Sequence, residues 1–184
     1  HAGVGNDFLL ANEVLAPRRL EALASAQDQA LITLAIDSEE TLDAAERAGI
    51  QNIMIDVNVG LPRCGCDPSI AGRLADSARV RGMTVRGVMG YEGHLMMVND
   101  REEKKKNVRD AMSILALAHE DVGGDIISAG GTGTYDMFAG TTVNEVQAGS
   151  YTLMDTQYAQ LGIPFVQAMW VVGTVISSNN KWSV

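Results

Sequence analysis

The residues of this 184-residue chain best suited to chemistry fall in four short stretches. Gly130, Gly131 and Gly133 alternate with Thr132 and Thr134 in SAGGTGTYDMFAG, directly after the apolar DIIS. Glycine lets a backbone approach a ligand closely and take positive φ. Successive N–H groups with nearby hydroxyls can therefore cradle a phosphate without any lysine. Gly149 and Ser150, followed by Tyr151, offer a second N–H pair. Arg63 supplies a fixed cation, either for an anionic oxygen of a ligand or for an ordinary surface ion pair. Tyr91 and His94 stand three apart, where one loop could turn both inward or leave the histidine structural. Cys64 and Cys66 are two soft ligands, but no second pair or histidine cluster completes a zinc site. No P-loop and no Ser/His/Asp triad spacing is present.

Each stretch follows an apolar run. DFLLA, ALITLAI, NIMIDVNV, MTVRGVMG, DIISA and VNEVQA read as six strands, most of them continuous hydrophobic runs of the kind buried on both faces. Between them lie helical patterns. One opens at Pro17, and a second opens at Asp37 with Glu40 in capping-box spacing and ends at Gly49. A third begins at Asp67-Pro68, and the longest runs from Arg101 to about Asp121 with Val108, Ala111, Met112 and Leu115 as its buried stripe. Alternating strands and helices imply a parallel sheet. The reading is α/β: a (β/α)8 TIM-type barrel apparently missing its first two strands, with an open doubly wound sheet as the rival. In such barrels chemistry sits at the C-terminal strand ends, and phosphate often binds after strands 7 and 8. With two strands missing, those are the loops carrying GGTGT and AGSY. FVQAMWVVGTVIS is expected to end as a strand. The EEKKK run reads as a solvated helix start.

Fourteen basic against 23 acidic residues give a net charge of −9, which argues against a nucleic-acid surface. No apolar run reaches the roughly 18–20 residues of a membrane span, so no membrane partner is expected. Two cysteines at i, i+2 suit reduced thiols better than a disulfide, and no signal peptide is visible; a cytoplasmic setting follows.

NVGLPRCG, GYEGHLM, SAGGTGTY and EVQAGSYTLMD together resemble the fold-type III pyridoxal-phosphate enzymes. Within these, the chain is most similar to the D-threonine aldolase, 3-hydroxy-D-aspartate aldolase and D-serine dehydratase group, with alanine racemase more distant. The resemblance implies an alanine racemase N-terminal-like barrel holding pyridoxal 5'-phosphate. Arg63 would contact the cofactor's phenolic oxygen. Tyr91 and His94 would line its pocket. Gly131, Thr132, Gly133 and Thr134, with Gly149, Ser150 and Tyr151, would hold the phosphate. Gln147 would face the pyridine nitrogen, where alanine racemases place an arginine. Arg63, Tyr91 and His94 are thus the expected catalytic residues.

Two features of the resembling family have no counterpart here. Its Schiff-base lysine ends the first barrel strand, whereas the lysines here are Lys104, Lys105, Lys106 and Lys181. Its divalent metal (Mn, Mg or Zn) sits with a C-terminal β domain. The chain is therefore expected to be a piece of a longer enzyme: residues 1–164 a partial, cofactor-binding barrel, and 165–184 the start of a connection to that domain. The implied activity is cleavage of D-β-hydroxy amino acids to glycine and an aldehyde. Alternatives are a D-serine dehydratase-type lyase, a non-catalytic cofactor-binding protein of this fold, or an unrelated sugar-phosphate barrel. The expected partner is a small D-amino acid; homodimers are common in the family.

Overall fold

The computed structural model describes residues 5–183. Six strands form one sheet in chain order: β1 (Asp7–Leu10), β2 (Leu31–Ile36), β3 (Asn52–Asp56), β4 (Thr84–Gly90), β5 (Ile126–Ala129) and β6 (Glu145–Val146). All five neighbouring pairs are parallel. Helices α1 (Pro17–Ala26), α2 (Glu39–Ala48), α3 (Ala71–Val80) and α4 (Arg101–Val122) make the crossovers. Sequential order without reversal is what a barrel requires; a doubly wound sheet would reverse at a switch point. The fold is six consecutive strands of a parallel (β/α) barrel, so the chain forms part of such a barrel.

The two faces of the sheet differ. Leu34, Ile36, Ile53, Ile55, Val88 and Ile127 pack against the helices in the main core. On the opposite face Ala35, Met54 and Met89 form a small cluster with Leu9 and Ile126. Below it, Arg86 donates to both carboxylate oxygens of Asp7, at 2.7 and 2.8 Å, and to the Thr33 hydroxyl at 2.8 Å. Between β3 and β4 the register slips by one residue between Ile53 and Ile55. Gly87 absorbs this bulge at φ 150°, where a Cβ would lie 1.9 Å from the Ile126 carbonyl oxygen. The bulge keeps Met89, just before Tyr91, on the inner face.

Local start signals shift slightly from expectation. Ser38, not Asp37, caps α2: its hydroxyl accepts the Thr41 N–H, while Thr41 reaches back to the Ser38 N–H. Asp37 instead accepts the Thr41 hydroxyl and the Gly65 N–H, both at 3.3 Å. Pro68–Ile70 is a single 3-10 turn before α3 begins at Ala71. The largest departure is the apolar stretch 165–177, expected to end as a strand. It forms no strand; Ser178 and Ser183 make one isolated antiparallel bridge. Hydrophobic content alone does not make a strand without a neighbour to complete the ladder. Phe165 is an anchor there, its ring 5.4 Å from Tyr135 and 5.2 Å from Tyr151.

Candidate functional site

The loops at the C-terminal strand ends enclose a cavity of about 330 Å³. Gly130, Gly131 and Thr132 line it from the loop after β5. Gln147, Gly149 and Ser150 line it from the loop after β6. Arg63 and Tyr91 face them across the opening. Thr132 ties the two glycine loops, its hydroxyl accepting the Tyr151 N–H at 2.9 Å. Among the described residues, the N–H groups of Thr132, Gly149 and Ser150 have no hydrogen-bond partner. This is a cluster of donors beside an open cavity, the arrangement that takes an anion.

Arg63 stands at the tip of a closed turn. Cys66 donates its N–H to the Asp56 carbonyl, Asn58 donates its own to the Cys66 carbonyl, and Asn58 Oδ1 accepts the Gly60 N–H. The guanidinium lies 5.3 Å from the centroid of the Tyr91 ring, a cation–π contact that orients it. Burial pushes the Tyr91 phenol up to about 12, so it stays a neutral donor at physiological pH. Gln147 is fixed by a relay: its amide donates to the Ser128 hydroxyl at 3.0 Å, and that hydroxyl donates to Glu145 at 2.6 Å.

Not every residue assigned to the pocket from sequence lines it. His94 is exposed on the outer side of its loop, over Gly60, where an added Cβ would lie 2.8 Å from the imidazole. The one-turn 3-10 segment Gly93–Leu95 leaves His94 exposed while burying Leu95. Gly133 and Thr134 lie behind the loop. Thr134 is fully buried and donates its hydroxyl to Glu92 Oε1 at 2.5 Å. Tyr151 contributes its backbone, and its half-exposed ring packs on Phe165.

Two functional residues escaped the sequence reading. Glu92, next to Tyr91, is 0% exposed, and its second oxygen accepts the Gly130 N–H at 3.2 Å. Thr134 Oγ1 in turn accepts the Gly131 N–H at 3.2 Å. One buried carboxylate therefore braces the glycine loop at two points, and at a third through the Thr134 hydroxyl. The other is Lys104, read as part of a solvated run yet only 4% exposed. It precedes Val108 by four residues and so belongs to the buried stripe, the one signal that could have found it.

On the other flank, Glu13, Asp56 and Cys64 bring ligand atoms within 4.8 Å of one another. Burial, reinforced by Glu13, raises the Asp56 carboxyl to about 8, and burial raises the Cys64 thiol. A stability effect follows. Below about pH 4 Asp56 is protonated folded or unfolded. Between its ordinary 3.8 and about 8, the unfolded chain loses the proton and the folded chain keeps it, so stability falls across that window. The melting temperature is expected to decline from pH 5 to pH 8, and the decline to shrink in Asp56→Asn. Equal slopes in the two proteins would refute this origin.

The chain is a parallel (β/α) barrel segment with a cavity lined by unpartnered N–H groups at its strand ends. Residues 1–157 match the sequence model of the alanine racemase N-terminal domain, and the chain belongs to that family. It is 31% identical to a D-threonine aldolase from Arthrobacter sp. over 96% of this chain and 51% of that protein. It is 27% identical to a 3-hydroxy-D-aspartate aldolase from Paracoccus denitrificans over 84% of this chain and 44% of that protein. The crystal structure of D-threonine aldolase from Filomicrobium marinum superposes with a TM-score of 0.80 at 29% identity, covering 94% of this chain and 51% of that one. The chain spans about half the length of the curated relatives it matches. Among the described residues, no helix is long and apolar enough to cross a membrane.

Proposed function

We propose that this chain is the pyridoxal-phosphate-binding part of a lyase that cleaves D-β-hydroxy amino acids to glycine and an aldehyde. The observation that carries the reading is the cup of unpartnered N–H groups on Thr132, Gly149 and Ser150, facing Arg63 across one cavity. The likeness to D-threonine and 3-hydroxy-D-aspartate aldolases supports the substrate class.

The residues fit the phosphate and ring of the cofactor. The cup supplies uncharged donors for a phosphate, and Gly131 and Gly149 keep side chains out of its way. Arg63 would hold the phenolic oxygen as an anion, and the neutral Tyr91 gives that side of the cavity an uncharged wall. Gln147, held by Ser128 and Glu145, would offer a neutral amide to the pyridine nitrogen and so would not enforce its protonation. When bound, the cofactor supplies the electron sink for the carbanion left as the Cα–Cβ bond breaks. No lysine among the described residues lines the cavity: Lys104 bonds carbonyls behind the glycine loop, Lys105 and Lys106 follow it on α4, and Lys181 is exposed.

The test is product analysis of the lyase that contains this chain, supplied with pyridoxal phosphate and D-threonine. Glycine and acetaldehyde are expected. Pyruvate released from D-serine would replace the aldolase by a dehydratase, and neither product would overturn the reading.

A further inference from the structure

Lys104 occupies a position that an apolar residue would fill at no electrostatic cost. It begins the inward stripe of α4, ahead of Val108, Ala111, Met112 and Leu115, all buried. Its ammonium donates to the Met96 carbonyl at 2.9 Å and to the Gly133 carbonyl at 3.3 Å. Those carbonyls belong to the loop after β4, which carries Tyr91, and to the glycine loop after β5. The loops touch there: a Cβ on Gly133 would lie 2.6 Å from the Met96 oxygen. Two carbonyl dipoles thus point their negative ends at one spot, and a cation satisfies both.

Asp136 is the carboxylate that bears on its charge, but at a distance beyond an ion pair. Arg101, one turn earlier, takes Asp136 at 2.6 Å, and no ion pair to Lys104 is formed among the described residues. The remaining charge bonded to this loop is the Glu92 carboxylate, which would repel an arriving phosphate. Lys104 brings a positive charge to the same loop through the Gly133 carbonyl.

We propose that Lys104 is a positioning residue of the cup: it clamps the glycine loop to the β4 loop from behind and tunes the cup toward a phosphorylated ligand. This rests on the reading of the cavity as a phosphate site. The side chain touches no ligand itself; it acts through the Gly133 carbonyl and through its charge.

A general loss of structure weakens every ligand, whereas a loss confined to the cup weakens only those carrying phosphate. The experiment compares pyridoxal phosphate, unphosphorylated pyridoxal and inorganic phosphate, titrated into the protein and its Lys104→Met variant. The wild type is expected to prefer pyridoxal phosphate to pyridoxal. In Lys104→Met, affinity for pyridoxal phosphate and inorganic phosphate should fall by about tenfold or more while pyridoxal binding holds. A parallel loss for all three probes, or no loss, overturns the proposal. No preference for pyridoxal phosphate in the wild type would instead overturn the phosphate-cup reading. Should Lys104→Met not fold, Lys104→Gln retains an amide donor without the charge. There, loss confined to the phosphorylated probes supports the proposal, and unchanged or parallel affinities overturn it.

Discussion

Glu92→Leu is expected to destabilise the fold by about 2–4 kcal/mol and to weaken pyridoxal-phosphate binding more than tenfold. The carboxylate is wholly buried, so leucine does not lack space or apolar surroundings; what is lost is acceptors. The Gly130 N–H and the Thr134 hydroxyl both end on Glu92, and the Gly131 N–H ends on that same hydroxyl. With the carboxylate gone, two buried donors lose their partner at once, and unmade buried hydrogen bonds cost more than made ones contribute. The loop can recover them only by turning its N–H groups elsewhere, which disorders the proposed cup. Glu92→Gln keeps one good acceptor and similar volume, so it should fall between. Urea unfolding and cofactor titration of the three proteins check both halves. A leucine variant as stable as the wild type would show that the loop does not depend on this brace.

The contrast between Glu92 and its neighbours shows how much the chain states openly. The central strands β2 to β5 stand where apolar runs place them, because burial on both faces of a parallel sheet leaves polar residues few positions, while the edge strands β1 and β6 are partly exposed. Helix ends were legible where glycine closes them, as at Gly49 with φ 80°. The cavity-lining residues were legible because glycine and hydroxyl side chains at a strand's C-terminal end have little other use. Glu92 and Lys104 were hidden for the opposite reason. A charged residue ordinarily signals solvent, and nothing within a few positions says that Glu92 bonds the Gly130 N–H and the Thr134 hydroxyl, 38 and 42 residues on, or that Lys104 bonds carbonyls 8 residues before and 29 after it. His94 is exposed and not among the cavity-lining residues, because spacing after a strand fixes proximity to the mouth but not the direction of the side chain. The tail at 165–177 read as a strand from composition, but among the described residues it has no neighbouring strand to complete a ladder and forms none.

The glycines of the cup are not equivalent, and substituting them in turn should separate space from function. Gly133→Val is expected to be the severe case, costing about 3 kcal/mol or more in stability and abolishing measurable cofactor binding. A Cβ there meets the Met96 oxygen at 2.6 Å, its Cα at 3.2 Å and its carbonyl carbon at 3.3 Å. These are backbone atoms, held by Lys104 and by the turn after β4, and they cannot swing aside. Relief requires the two loops to part, which breaks the ammonium's bridge to both carbonyls. Gly131 meets the Met96 sulfur at 2.8 Å and the Tyr91 ring at 3.0 Å. The methionine end can rotate away, so Gly131→Val should weaken cofactor binding more than it weakens the fold. Gly149 meets nothing within 4 Å and has an ordinary negative φ of −134°, so Gly149→Ala should alter stability by less than about 0.5 kcal/mol. Its new methyl group nevertheless borders the cavity, and cofactor affinity should drop while the melting temperature holds. Thermal melts and pyridoxal-phosphate titrations of the three variants test the order. Equal losses of stability at Gly133 and Gly149 would show that close backbone approach does not govern this loop. Unchanged affinity at both Gly131 and Gly149 would remove the cup as the place where phosphate binds.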